Sequence, residues 1–213
     1  MPSSCHVVNV LGIILPLLLL SCGARQIETT HVFYLHGRII EEQGRRPTHP
    51  EFGTYEYDEI LRQLGGEGRV VVSEARPKGT DPDAYAAKVA KQIEDLLAKG
   101  VPGRRITVIG ASKGAVITML VSTKVRSPEV GYVIMANCND WVRENHHVDL
   151  HGEVLSIYEA SDSIGGTCEP IFRQSKQLGK HREIRLDTGL GHGFLYRPMK
   201  EWIEPALAWS RQR

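Results

Sequence analysis

Apolar residues in this chain occur in short runs that are separated by longer amphipathic stretches. Runs that are almost continuously apolar or β-branched are typical of strands buried on both faces of a parallel sheet. The pattern therefore predicts about six strands. Their positions are His31–Leu35, Arg69–Ser73, Ile106–Ile109, Tyr132–Met135, Val154–Tyr158 and Ile184–Leu186.

The stretches between these runs have the three- and four-residue spacing of amphipathic helices. The clearest predicted helix begins after Asp81, because Asp is a good N-cap and Pro82 suits the first turn, and it ends before Gly100. Other helices are predicted at Tyr55–Leu64, Lys113–Lys124 and Pro198–Arg211. Strands that alternate with helices imply right-handed crossovers, so the sequence predicts an α/β fold with a doubly wound, mostly parallel sheet.

The N-terminal segment differs from the rest of the chain. Val7–Leu20 is an apolar run, shorter than the roughly 20 residues of a membrane-spanning helix and typical of the centre of a secretory signal. Leu19–Cys22 resembles a bacterial lipobox, in which the cysteine, here Cys22, is lipidated. Residues 1–25 are therefore predicted to be a signal peptide or a lipoprotein signal, and residues 26–213 the folded domain. An uncleaved anchor and a misassigned start codon are the alternatives, because residues 1–6 contain no Lys or Arg.

Composition excludes several classes of protein. The chain has 213 residues, of which 41% are hydrophobic and 24% charged, an ordinary globular balance that argues against disorder. Its 26 Lys and Arg residues nearly balance 25 Asp and Glu residues, so no basic excess indicates a nucleic-acid partner. Four cysteines are too few to hold a chain of this length together as a disulfide framework.

One motif carries chemistry. Gly110-Ala111-Ser112-Lys113-Gly114 follows a predicted strand and precedes a predicted helix, which is the setting of the G-x-S-x-G nucleophile elbow. The serine needs a tight turn that leaves no room for side chains at Gly110 and Gly114. The helix behind it directs backbone amides toward developing negative charge. A glycine-rich turn that binds phosphate, or nothing, is the structural alternative.

A serine nucleophile needs a base, and the base needs an acid that orients it. His192 is the predicted base, because it lies among glycines between the last strand and the last helix. Asp162 is the predicted acid, because it follows the fifth strand and preserves the chain order of nucleophile, acid and histidine. Asp140, which follows the preceding strand, is the second candidate, and Asp187 is a poorer one because it borders the strand that leads to His192.

The elbow, together with His36-Gly37 at the end of the first strand, resembles the α/β-hydrolase superfamily of serine hydrolases. That resemblance implies an oxyanion hole made by the backbone N–H groups of Arg38 and Lys113, and no metal or organic cofactor. Only about 15 residues separate the fourth and fifth strands, too few for the cap that this family often inserts there. The resemblance is therefore to a small, lidless, esterase-like hydrolase.

These features predict an exported or membrane-tethered serine hydrolase. Its substrate is a small acyl compound with an ester bond, and a thioester or amide is also possible on the sequence alone. A catalytically silent binding protein with the same fold is the alternative. Reaction with a fluorophosphonate probe at Ser112 distinguishes the two.

Other polar residues leave alternatives open. Cys138 and Cys168 follow neighbouring strands, so they either form a disulfide or remain two buried thiols. A cluster of histidines and acids is a solvated turn rather than a zinc site, although His147 and His151 have helical spacing; its members are His146, His147, Asp149, His151 and Glu153. Basic residues in predicted loops at the carboxyl edge of the sheet either favour an acidic or polar substrate or are simply solvated; they are Arg38, Arg76, Lys78 and Lys113.

Overall fold

The structure is a computed structural model that describes residues 29–66 and 68–211. The predicted signal segment and Cys22 lie outside the described residues. The strands are β1 (Thr30–Leu35), β2 (Thr48–His49), β3 (Gly53–Thr54), β4 (Arg69–Val72), β5 (Ile106–Ala111), β6 (Gly131–Met135), β7 (His151–Glu159) and β8 (Gln177–Leu186). The α-helices are α1 (Arg38–Gln43), α2 (Tyr57–Leu64), α3 (Pro82–Ala98), α4 (Lys113–Val125), α5 (Asp140–Asn145), α6 (Glu169–Gln174) and α7 (Lys200–Arg211).

Six of these strands form one parallel sheet in the order β4-β1-β5-β6-β7-β8. This arrangement confirms the predicted α/β fold. The chain leaves β1 toward β4 at one edge and returns to β5 on the other side of β1. Strand order therefore reverses between β1 and β5, and open α/β sheets bind ligands at the carboxyl ends of the strands at such a point.

Both faces of the sheet are covered, which explains why the strands are apolar without alternation. Phe33 and Val108 face the layer that contains α3 and α4. Their neighbours Val32 and Ile109 face the other layer, which contains α2 and α7. The two apolar layers hold the carboxyl ends of β1 and β5 in fixed register, Leu35 beside Gly110.

Asp81 begins α3 as predicted, because its side chain accepts a hydrogen bond from the backbone N–H of Ala84 at 2.8 Å. The last strand is the largest error of the sequence analysis. The predicted strand at 184–186 is only the end of β8, which starts at Gln177 and is mostly exposed at the edge of the sheet. An edge strand has no continuous apolar run to reveal it.

The sequence analysis noted a helical spacing between His147 and His151, but the structure does not place both residues in one helix. Helix α5 ends at Asn145, whereas His151 lies in β7 and pairs with Gln177. His147 and His151 therefore do not share a helix face. Glycine is required at the start of this strand, since Gly152 has φ +75° and a Cβ there would collide with the Val130 carbonyl oxygen.

Candidate active site

Ser112 lies on the turn between β5 and α4, at the carboxyl edge of the sheet. Its backbone has φ 55° and ψ −118°, a conformation that is strained for any residue other than glycine. The turn is held because the Ser112 N–H donates to the Met135 carbonyl at 2.9 Å and the Ser112 carbonyl accepts from Ala115 at 2.8 Å. This backbone conformation directs the serine side chain away from the end of the sheet.

The two elbow glycines are required by close backbone approach. A Cβ at Gly110 would collide with the Gly114 carbonyl and the Thr118 hydroxyl, and one at Gly114 would collide with the Leu35 carbonyl. Strand β5, helix α4 and strand β1 therefore approach each other more closely than any side chain permits. This packing brings Ser112 next to the end of β1.

The structure brings the three predicted catalytic residues together. His192 Nε2 lies 2.9 Å from Ser112 Oγ, and His192 Nδ1 lies 2.7 Å from Asp162 Oδ2. The histidine is in a short 3₁₀ helix, Gly191–Leu195, and the side chains of His192 and Asp162 are both buried. An imidazole bonded to a carboxylate on one side and a serine on the other is the geometry of a proton relay.

The acid of this relay is ionised. Burial alone would raise the pKa of Asp162, but hydrogen bonds from His192, Ile164 and Gly165 and the attraction of His192 outweigh burial and lower the pKa. The Ile164 N–H donates to Asp162 Oδ1 at 2.9 Å, so both carboxylate oxygens are held. A fixed carboxylate can orient the imidazole and stabilise its positive form.

The two other acids considered from the sequence do not contact His192. Asp140 is the first residue of α5 and pairs with Arg143. Asp187 lies 4.0 Å from Arg185. The side chains of Asp140 and Asp187 are 79% and 80% exposed.

A buried carboxylate that the sequence analysis missed connects the loops of the acid and the base. Glu159, at the end of β7, accepts hydrogen bonds from the backbone and hydroxyl of Thr188, at 3.0 and 2.7 Å, and from the backbone of Ser161 at 3.3 Å. Burial would raise the pKa of Glu159, but these donors outweigh it and lower the pKa to about 2. The loop that carries Asp162 is thereby tied to the loop that leads to His192.

The end of β1 supplies the other side of the site. A Cβ at Gly37 would lie 3.6 Å from Ser112 Cβ, so the Gly37–Arg38 peptide borders the serine. Arg38 and Lys113 are the first residues of α1 and α4. The first amides of a helix have no acceptor within the helix, so these two N–H groups remain available to a ligand at Ser112.

His36 is buried and orients this peptide. Its Nε2 accepts a hydrogen bond from the Arg76 N–H at 2.9 Å and also lies 3.1 Å from the Glu74 carbonyl. In the tautomer with the proton on Nδ1, that nitrogen donates to the Gly37 carbonyl at 2.8 Å. In a trans peptide the following N–H points the opposite way, which directs the Arg38 amide away from His36. Burial, and to a lesser degree the charge of Arg76, lowers the pKa of His36 to about 3, so the ring is neutral.

Two of the four basic residues at this edge, Arg76 and Lys113, are paired inside the protein, which neither interpretation of the sequence anticipated. The Arg76 guanidinium is buried and donates to Glu41 at 2.8 Å, and the Lys113 ammonium donates to the same carboxylate at 2.5 Å. Lys113 also donates to the Thr80 carbonyl at 2.6 Å. Two of the four cations are thus neutralised inside the protein, and Glu41 is a second carboxylate that sequence reasoning missed.

The two core cysteines are bonded. Cys138, in the loop after β6, and Cys168, just before α6, form a disulfide with Cα atoms 4.9 Å apart. Asn139 makes a further contact between the same loops, because its side-chain amide donates to the Ile164 carbonyl at 3.0 Å. The loop of Asp162 is therefore connected covalently to the loop after β6.

Ser112 and His192 open into a cavity of about 460 Å³, a size typical of small-molecule sites. No cap covers it among the described residues, since β6 and β7 are separated only by the loop that carries the six-residue α5. The lining is largely apolar and aromatic. Its apolar members are Ile39, Phe52, Tyr55, Trp141, Ile164, Leu195 and Tyr196.

No group of three or more metal-ligating side chains occurs in the part of the chain that the structure describes. In the cluster around His147, His146 faces Asp83 at 3.2 Å, and His151 faces Asp149 at 3.7 Å. Within the described ranges, no helix has both the length and the apolar character to span a membrane.

Comparison with known proteins shows the α/β-hydrolase fold. No protein-family model and no curated protein matches the sequence. Among solved structures, SOBER1 from Arabidopsis thaliana is 10% identical with a TM-score of 0.57, covering 86% of this chain and 98% of its own. A hyperthermophilic esterase from Pyrobaculum calidifontis is 20% identical with a TM-score of 0.55, covering 86% and 76%. The RedJ thioesterase of Streptomyces coelicolor is 13% identical with a TM-score of 0.54, covering 84% of each chain.

Proposed function

We propose that this protein is a serine hydrolase that cleaves a carboxylic ester through an acyl-serine intermediate. The observation that carries the proposal is the relay from Ser112 Oγ through His192 to Asp162, with both distances below 3 Å. The relay opens into a cavity, so a substrate has access to the serine. Neighbours in fold that are named as an esterase and a thioesterase support a hydrolytic function.

The reaction follows from the geometry. His192 Nε2 takes the Ser112 proton as Oγ attacks the ester carbonyl, and the carbonyl oxygen becomes an oxyanion. The N–H groups of Arg38 and Lys113 are proposed to stabilise that charge, and the N-terminus of the 13-residue helix α4 adds to their effect. His192 then gives its proton to the departing alcohol, leaving an acyl-serine.

The second half repeats these steps with water. His192 takes a proton from a water molecule that attacks the acyl carbon, and returns it to Ser112 as the acid departs. Asp162 keeps the imidazole in orientation throughout and stabilises its positive charge. A thioester or amide would follow the same path, with a thiol or amine as leaving group.

The test is covalent labelling combined with turnover. Wild-type protein is expected to react with a fluorophosphonate at Ser112 and to hydrolyse p-nitrophenyl acetate. Ser112→Ala is expected to lose labelling and at least about 10⁴-fold in kcat while keeping its fold. Ser163→Ala, which alters an exposed serine beside Asp162, is the matched control and keeps both. A folded wild type that neither labels nor turns over any ester, thioester or amide would favour the silent binding protein.

We also propose that the protein is exported, with residues 1–25 as its signal and Cys22 as the site of lipid attachment. A disulfide between Cys138 and Cys168 supports the proposal, because such bonds persist in oxidising compartments. The intact mass of protein isolated from its native host measures all three features. Loss of residues 1–21 with added lipid indicates a tether, and an uncleaved chain with two alkylatable core thiols contradicts export.

A further inference from the structure

Exposed apolar side chains occur at the mouth of the candidate site. Among residues 29–66 and 68–211, four large apolar residues are well exposed: Val70, Trp141, Ile164 and Leu190. Trp141 is 55% exposed and Ile164 45% exposed, and both line the cavity that contains Ser112. Leu190 is two residues before His192. Exposed apolar surface grouped in this way marks a binding surface.

The loops that carry Trp141 and Ile164 are fixed by covalent and hydrogen bonds. Their loops are joined by the Cys138–Cys168 disulfide. Asn139 fixes both residues at once: its amide nitrogen donates to the Ile164 carbonyl at 3.0 Å, and its amide oxygen accepts from the Val142 N–H at 3.1 Å, which caps the helix that carries Trp141. A ligand that covers a rigid apolar surface gains the free energy of removing that surface from water, and little of it is lost to ordering the loops.

A second apolar surface of the same cavity lies beside the base. Phe52 stacks on His49 with ring centroids 4.5 Å apart and packs against Tyr196 at 5.4 Å. Its ring centroid is 6.4 Å from that of His192. One of the two parts of the substrate, either the departing alcohol or the acyl group that stays on Ser112, therefore contacts aromatic side chains.

Two of the cations at the site are neutralised inside the protein. Arg76 and Lys113 are paired with Glu41 inside the protein. Arg38 and Glu42 both line the cavity, and their charges are opposite. Apolar contact is thus the main source of affinity that the cavity offers.

We infer that the substrate is an ester with an apolar hydrocarbon chain, and that Trp141 and Ile164 bind this chain. The inference rests on the proposed serine hydrolase activity and names the substrate class of the same site. The chain belongs either to the acyl group or to the alcohol, since both meet at Ser112. Each methylene that these residues cover contributes up to about fourfold to kcat/KM.

The experiment measures kcat/KM against chain length below the solubility limit of every substrate, and a separate assay compares rates below and above that limit. One series varies the acyl chain of p-nitrophenyl esters, and the other varies the alcohol of n-alkyl acetates. We expect one series to rise with chain length, which identifies the group that is bound. Trp141→Ala and Ile164→Ala are each expected to reduce the slope of that series, because they remove the covering surface. Val70→Ala, which removes an equally exposed apolar side chain at 46% exposure on the edge strand β4, leaves the slope unchanged.

Four results would overturn the inference. Hydrolysis of short esters with a flat response in both series would remove the apolar subsite but leave the serine hydrolase intact. A slope that neither Trp141→Ala nor Ile164→Ala changes would show that the chain binds elsewhere. Activity that rises sharply only above the solubility limit of the ester would mean that these residues meet a lipid surface instead. A protein that does not label at Ser112 loses the proposed function and this inference together.

Discussion

On each side of the candidate site, a buried carboxylate connects neighbouring segments of the chain. The two carboxylates differ in the groups that bind them. On the side of the proposed oxyanion hole, called the oxyanion side below, Glu41 is held by two cations, Arg76 and Lys113. On the base side, Glu159 is held by backbone and hydroxyl donors of Ser161 and Thr188. The base side also has the Cys138–Cys168 disulfide.

The difference has energetic consequences. A buried ion pair sets a large desolvation cost against a large attraction, so removing one partner leaves an uncompensated charge. A carboxylate held by neutral donors loses only hydrogen bonds when it is neutralised. The oxyanion side should therefore depend strongly on each member of its cluster, whereas the base side should lose stability in smaller steps.

Glu41→Gln is the change with the largest expected effect. It leaves Arg76 buried without a counter-charge, so we expect the free energy of unfolding to fall by about 3–5 kcal/mol. Denaturant unfolding monitored by circular dichroism measures the loss. The control is Glu169→Gln, which breaks the exposed Arg173 pair at 3.0 Å and should cost less than about 1 kcal/mol. Equal losses in the two variants would refute a special role for the buried cluster.

The disulfide comes next in magnitude. It closes a loop with a sequence separation of 30, for which the chain-entropy model gives roughly 3–4 kcal/mol. The variant with both Cys138→Ser and Cys168→Ser should lose about that much stability. Reductant should destabilise the wild type by a similar amount and leave the double variant unaffected. If reductant lowers the stability of both proteins equally, the bond is not the cause.

The same comparison explains which parts of the site could be read from the sequence. Ser112, Asp162 and His192 were predicted because a motif, a chain order and neighbouring glycines limit where each can be. Glu41 was not, since nothing in its sequence separates it from the adjacent Glu42, and its partners are 35 and 72 residues away. Carboxylates that tie loops together depend on long-range contacts, which a single sequence does not record.

The fold was predicted to a similar extent and for a related reason. Central strands are covered on both faces, so they are apolar along their whole length and can be recognised. Strand β8 is at the edge and mostly polar, and only its last residues were found. Arg76 was predicted either to favour an acidic or polar substrate or to be solvated, whereas the structure buries it against Glu41.

The pH dependence of stability should also differ between the two sides. His36 has its pKa lowered from 6.5 to about 3, so the unfolded chain binds a proton that the folded protein does not between these values. Stability therefore falls as the pH drops from 6.5 toward 3. Linkage gives a loss of about 2–3 kcal/mol between pH 7 and pH 4.5 from this residue.

Unfolding free energies measured at several pH values test this expectation. His36→Gln removes the titrating group, so its stability should fall less steeply than that of the wild type over this range, whatever its absolute stability. His147→Gln alters an exposed histidine and should keep the wild-type slope. A His36→Gln slope that equals the wild-type slope would mean that His36 is already protonated, or unburied, in the folded protein.

Glu159→Gln is expected to have the smallest effect of the four. The amide keeps one acceptor oxygen but loses the charge that strengthens the bonds from Thr188 and Ser161, so we expect a loss of about 1.5–3 kcal/mol. The lowered pKa of Glu159, about 2, means that its contribution is present above pH 4.5 and is lost as the pH falls toward 2. The variant and the wild type should therefore differ in stability at pH 7 and converge near pH 2. A loss at pH 7 as large as that of Glu41→Gln would contradict the proposed difference between the two sides, because it would show that neutral donors and buried cations hold their carboxylates equally strongly.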